Sequence, residues 1–180
     1  MNLIPKQDFL NLVSKYGLHE DFSGILVFDN QQETTDWLTP NRACDLTGFI
    51  STLMKQSSQS GSFYLWLRDG HSWFTGTGFN EGPLEEQIRD RIVGLLPIPK
   101  DFLGALRFEQ SEWSTILLIV STFLIYGWCS DDDLQVVSGE GSTAILFNHH
   151  SRISVRCKSV DNQASFTSAM NSKGFKVCAA

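Results

Sequence analysis

From Trp113 to Ser130 no residue carries a charge, and the centre of the stretch reads ILLIVSTFLIYGW. A run this long and apolar must be shielded from water, either by lipid or by the rest of the chain, and so it limits the available folds more than any other feature. Its flanks decide between the two. Glu112 precedes it and Asp131, Asp132 and Asp133 follow it, with no Lys or Arg nearby to anchor the ends among lipid headgroups, and Ser and Thr interrupt the run. We therefore expect no membrane span. The expected form is a buried helix, capped by Ser111 and running to about Val120, followed by a strand over TFLIYGWC, where β-branched and aromatic residues outnumber helix formers.

A buried segment needs a core around it, and the chain is long enough to build one. Its 180 residues are 42% hydrophobic and 19% charged, the balance of an ordinary globular domain rather than of a disordered or low-complexity chain. The formal net charge of −6 argues against a surface that tracks nucleic-acid phosphates and suits a basic partner instead. The cysteines, Cys44, Cys129, Cys157 and Cys178, form no CxxC pair and have no zinc-like spacing, so free thiols are expected. The opening MNLIPKQDFLNL has no basic region followed by a continuous apolar stretch, so it does not read as a secretory signal. Both observations favour the reducing cytoplasm.

Periodicity places the remaining elements. Phe9, Leu12, Val13 and Tyr16 recur at helical spacing, predicting a helix over about Pro5 to Tyr16 that Gly17 stops. SGILVFD, Ser23 to Asp29, predicts a strand buried on both faces. Thr39 before Pro40 predicts a helix start, with Leu46, Phe49, Ile50 and Leu53 on the buried stripe and fraying from Ser57 to Gly61. SFYLWLRDGHSWFTG reads as a hairpin about Asp69-Gly70, a pair suited to a type I′ turn. After a glycine-rich loop over Thr75 to Pro83, Leu84, Ile88, Ile92 and Leu95 mark a helix ended by Pro97 and Pro99. The C-terminal third predicts a meander of Leu134 to Ser138, Thr143 to His149 and Arg152 to Lys158, with a turn at Gly139-Glu140-Gly141 and a corner at His150-Ser151. Its last strand turns Ile153, Val155 and Cys157 inward and Arg152, Ser154, Arg156 and Lys158 to a wet, basic face. A helix opened by Asp161 or Asn162, carrying Phe166, Ala169 and Met170, closes at Gly174. The sum is a single α+β domain with a mostly antiparallel sheet and helices packed against it.

Several groupings invite chemistry. His149-His150 beside Asp131, Asp132 and Asp133 suggests a metal site, yet adjacent strand residues point to opposite faces, and His19 and His71 have no ligand spacing to these. The triple aspartate lacks the alternating oxygen ligands and closing glutamate of an EF-hand loop, and reads as a solvated turn able to steer a basic protein. Gly76 and Gly78 sit before a helix whose first turn carries Glu85 and Glu86, which repel a phosphate there. No GxSxG elbow is present, and Cys44 with a distant histidine is a pairing that chance supplies. Trp66, Trp73 and Phe74 belong to a core before a pocket.

The stretch Leu124 to Cys157, LIYGWCSDDDLQVVSGEGSTAILFNHHSRISVRC, resembles the C-terminal part of small immunity proteins of bacterial polymorphic-toxin and contact-dependent inhibition systems. There a Gly-Trp after an apolar segment leads to an acidic residue and a strand, a turn, and a strand ending in a His-His or His-Asp corner. The matching residues are Gly127, Trp128, Asp133, His149 and His150, which the resemblance casts as determinants of fold. It implies a small cytoplasmic antitoxin that binds a cognate toxin domain stoichiometrically, without catalysis and without a cofactor. The resemblance assigns no inhibitory surface; from charge alone the toxin would be basic, a nuclease among the candidates, and the acidic Asp131, Asp132, Asp133 and Glu140 are the expected contacts. Two alternatives stay open: a small metal-dependent hydrolase using His149 or His150 with the aspartates, and an adaptor subunit of a larger bacterial complex. On the immunity reading, alanine replacement of the three aspartates slows association at low salt with little loss of folding; unchanged association kinetics count against these contacts.

Overall fold

A computed structural model describes residues 1–30, 34–38, 43–68, 73, 87, 91, 94–99, 101–126, 133–148 and 152–176, with the side chains at 38, 43, 44 and 123–126 outside the description. The fold is built around a strand that has no wet face. Phe63–Leu67 (FYLWL) is buried at every position. Alternation along a strand sends Phe63, Leu65 and Leu67 to one side and Tyr64 and Trp66 to the other, so both sides of the sheet need a cover.

In chain order the strands are β1 (Asn2–Pro5), β2 (Leu18–Glu20), β3 (Leu26–Phe28), β4 (Thr35–Leu38), β5 (Phe63–Leu67), β6 (Gly104–Phe108), β7 (Leu134–Ser138), β8 (Thr143–Asn148) and β9 (Arg152–Cys157). Helices among the described residues include α1 (Lys6–Ser14), α2 (Ala43–Ser57), α3 (Trp113–Tyr126) and α4 (Val160–Ser172). Seven strands form one sheet in the order β1-β6-β5-β7-β8-β9-β4, each neighbouring pair antiparallel, while β2 and β3 form a separate two-stranded ribbon. The α+β class read from the sequence is the class observed.

One core lies between the first face of the sheet and the helices α2, α3 and α4. It gathers Phe63, Leu65, Leu106, Val136, Phe147 and Val155 from the strands with Phe49, Leu53, Ile116, Val120, Phe166 and Met170 from the helices. The second core is smaller. Phe9 and Val13 of α1 and Leu18, Leu26 and Phe28 of the ribbon cover Tyr64, Trp66, Ala105, Val137 and Ala144. Trp66 lies against Phe9 with ring centroids 4.8 Å apart. Gln135 ties the ribbon down: its Oε1 accepts from the Leu26 N–H at 2.8 Å, and its Nε2 donates to the Gly24 carbonyl at 3.4 Å. A buried amide here does the work of a missing sheet neighbour for β3.

The uncharged stretch folds differently from expectation. α3 continues as helix through Tyr126, where a strand over TFLIYGWC was predicted, and α3 packs on α2. Extending a helix already formed adds a hydrogen bond for each residue fixed, so propensity differences of under ~1 kcal/mol per residue do not end it at Val120, and Thr122 is buried along with Ile116, Ile119 and Val120. Ser111 lies inside a 3-10 turn over Gln110–Glu112 that leads into the helix, and that turn is capped by Glu109, whose N–H donates to Glu112 Oε2 at 3.0 Å. Among the described residues no helix is long and apolar enough to cross a membrane.

Other boundaries move for local reasons. Residues 2–5 pair with β6, so α1 is shorter than predicted and begins after Pro5. The run Ser23 to Asp29 is one arm of the ribbon, its middle residue Val27 half-exposed, instead of a strand buried on both faces. β5 pairs with β6 and β7 rather than with the second arm of a hairpin, because a strand buried on both sides takes inner neighbours from distant parts of the chain. Leu95 is exposed. Ser159, not Asp161 or Asn162, caps α4, its side chain accepting from the Asn162 N–H at 3.2 Å. Thr39-Pro40, the Asp69-Gly70 turn, the tract Thr75 to Pro83, Leu84, Ile88, Ile92 and the His150-Ser151 corner lie outside the described residues.

The turn between β7 and β8 requires glycine. Gly141 has φ +68°, and a Cβ there would meet the Tyr16 ring at 2.1 Å, while the Tyr16 hydroxyl is itself held by the Gly139 carbonyl at 3.1 Å. Gly141→Ala should therefore destabilise the fold by about 2–4 kcal/mol, read as a lower urea midpoint at unchanged slope.

Candidate functional site

The two covers of the sheet do not reach equally far. On the second face, apolar residues give way to polar ones from β5 toward β4: Tyr64 and Trp66, then Gln135 and Val137, then Ala144 and Leu146, then Ser154 and Arg156, then Asp36. The polar end opens into a cleft. Its volume is about 640 Å³, and its lining includes His19, Asp21, Phe22, Val27 and Asp29 from the ribbon, with Thr34 and Arg156 opposite.

Each polar group of the cleft is held by a neighbour. His19 Nδ1 on β2 and Oδ1 of Asp29, the residue after β3, are 2.8 Å apart, both side chains more than half exposed. Asp21 Oδ1 accepts from the Ser23 N–H at 2.8 Å, the Ser23 hydroxyl at 2.6 Å and the Ile25 N–H at 3.1 Å. Partial burial works to raise its pKa, but these hydrogen bonds outweigh it and hold the carboxyl below its ordinary value. Arg156 Nε donates to Thr34 Oγ1 at 3.1 Å. Burial pulls its pKa down, with Asp21 and Asp36 opposing that effect.

A second, polar hollow of about 270 Å³ lies among the end of α2, the start of α4 and the β7–β8 turn, lined by Lys55, Ser58, Glu140, Ser142, Cys157 and Asn162 among others. Cys157 is a free, buried thiol whose Sγ lies 3.8 Å from Thr143 Oγ1, and burial pushes its pKa up, the opposite of an activated nucleophile.

The expected contact residues sit differently from one another. Glu140 is half-buried, and its carboxylate accepts from Ser60 Oγ and Ser142 Oγ at 2.8 Å, Ser58 Oγ at 3.0 Å, and the N–H groups of Gln59 and Ser60 at 3.2 and 3.3 Å. It clamps the loop after α2 to the β7–β8 turn. Asp133 is 2% exposed, and its Oδ2 accepts from Asn148 Nδ2 at 3.3 Å. It is thus no part of a solvated turn, and removing it costs a buried, hydrogen-bonded carboxylate, so little loss of folding is not expected for Asp133→Ala. Asp131, Asp132, His149, His150, Gly127 and Trp128 lie outside the described residues, although Asp133 and Asn148, which lead to them, stand side by side. Among the described residues no group of three or more His, Cys, Asp or Glu side chains is placed to hold a metal ion. Trp66 and Trp73 are core residues, Trp73 Nε1 donating to the Gly104 carbonyl at 3.0 Å; Phe74 lies outside the description.

The sequence reading missed the cleft because it missed the ribbon. The signal was present in Asp21-Phe22-Ser23-Gly24, where an Asx turn and a glycine at φ +74° reverse the chain between two short apolar arms. The basic face predicted for β9 is found in part: Arg152 and Lys158 are exposed and Arg156 half-buried, while Ser154 is buried. No family model, no curated protein and no solved structure matches the chain.

Glu140 makes acid stability measurable. Partial burial works to raise its pKa, yet hydrogen bonds from Ser142, Ser60 and backbone N–H groups bring it from 4.5 to about 2. A depressed folded-state pKa contributes stability that is complete above the unfolded value and lost as pH falls through the folded one. The contribution, about 1–2 kcal/mol once solvent screening of a half-exposed group is allowed for, should disappear between pH 4.5 and about 2, and Glu140→Gln should remove this part of the pH dependence in urea titrations.

Proposed function

We propose that the chain is an immunity protein: a cytoplasmic, non-catalytic binder that occupies a basic toxin domain, with a nuclease as the first candidate class. The observation that supports it most is the cleft beside the ribbon, whose wall presents the carboxylates of Asp21 and Asp29 at the surface of a chain of net charge −6. A partner element of complementary charge is drawn to such a wall, and steering of this kind raises association rates. On this reading the contacts belong to the ribbon. Asp133 is buried and Glu140 clamps the loop after α2 to the β7–β8 turn, so both serve the fold, whereas the Asp29 side chain is more than half exposed.

The test begins with a pull-down of the tagged chain from lysate of its source organism at low and high salt, with retained proteins identified by mass spectrometry. The expected result is a stoichiometric, salt-sensitive partner bearing a toxin domain whose purified activity falls to background at one equivalent of this chain. A retained partner whose activity persists at stoichiometric excess, or retention of no toxin-bearing protein at either salt concentration, overturns the reading.

A further inference from the structure

We propose that Phe22 is a pre-organised docking anchor, held in solvent by the β2–β3 turn so that it enters an apolar pocket rimmed by Lys or Arg on a partner protein. The proposal rests on the binding-protein reading and names the chemistry of the surface that this site fits. Phe22 is fully exposed, at 104% of its reference area, the most exposed large hydrophobic residue described. Isolated exposed apolar residues are common and by themselves mean little. The turn beneath this one is what sets it apart.

Every other residue of that turn has a structural task. The Asp21 carboxylate gathers the Ser23 N–H, the Ser23 hydroxyl and the Ile25 N–H; the Asp21 N–H donates to the Ile25 carbonyl at 2.8 Å; and Gly24, at φ +74°, donates to the Asp21 carbonyl at 3.0 Å. From outside the ribbon, Arg68 Nε donates to the Ser23 carbonyl and Gln135 Nε2 to the Gly24 carbonyl. The backbone of the turn is thus fixed from within and from two other strand regions. Phe22 alone contributes nothing to this network, and an exposed phenyl ring there only adds apolar surface in water. A rigid mount is what makes an aromatic an effective anchor, because the ordering cost has been met before the partner arrives and the ring has only two rotatable bonds. Beside Phe22 the same cleft carries Asp21 and Asp29 against the guanidinium of Arg156 on the opposite wall, and the more than half exposed Asp29 carboxylate favours a pocket with a cationic rim.

The experiment replaces Phe22 with p-benzoylphenylalanine in the full chain, with exposed Val160 on α4 replaced in the same way as a control, and uses the proteins of the source lysate as the probe. The expected result is a light-dependent adduct from position 22 and none from position 160, mapping on the partner to an apolar pocket bordered by Lys or Arg. Against that purified partner, Phe22→Ala should weaken Kd by at least about 30-fold at an unchanged melting temperature. Asp21→Asn, which keeps the carbonyl acceptor of the turn, should mainly slow association at low salt. No adduct, an adduct with a second copy of this chain, or a change in Kd below about fivefold for Phe22→Ala overturns the anchor. The two proposals fail separately: an anchored partner without toxin activity removes the immunity reading alone, and an inhibited toxin indifferent to Phe22→Ala removes the anchor alone.

Discussion

β5 sits inside the sheet, third of its seven strands, with both of its faces buried, and the architecture follows from the need to cover both. A strand presenting Phe63, Leu65 and Leu67 on one side and Tyr64 and Trp66 on the other would lose about 1.5–3 kcal/mol for each large side chain left in water. Three helices cover the first face. Among the described residues the second is covered by α1 and a ribbon of three-residue strands. Among the same residues that second cover stops short of the far edge, where the cleft opens.

What lies at the uncovered end is consistent with its exposure. The second-face residues become polar where the cover stops, from Trp66 to Gln135 to Ser154 and Arg156, so the cleft meets water with side chains that tolerate it. Gln135 stands at the boundary. Too deep for solvent, its amide is satisfied by the backbone of the ribbon, and in being satisfied it holds in place the element that forms the cleft wall. The stability of the core and the shape of the candidate binding surface therefore depend on one buried side chain.

The acidic residues show how little charge alone says about role. Glu140 and Asp133 stand close to one another in the sequence as parts of the same acidic region, yet the first draws in three serine hydroxyls and the second lies beneath the surface beside Asn148. Asp21 shapes a turn and faces a cleft at once. Whether a carboxylate is available to a partner depends on which donors the fold brings to it, and those donors come from residues as far away in sequence as Ser58 is from Glu140.

The sequence by itself determined the class of fold, the meander β7-β8-β9, the buried stripe of α2 and the inward set Ile153, Val155 and Cys157, because each is written in a spacing of a few residues that the backbone repeat converts directly into one face or the other. Tertiary structure alone decided that TFLIY continues a helix, that β5 pairs with β6 and β7 instead of closing a local hairpin, that residues 2–5 join the sheet edge, and that Asp21, Phe22, Asp29 and Arg156 meet around one cleft. Periodicity reports which side of an element is buried. It carries no information about which distant element does the burying, and here that choice set the strand order, the reach of the second cover and the position of the candidate site.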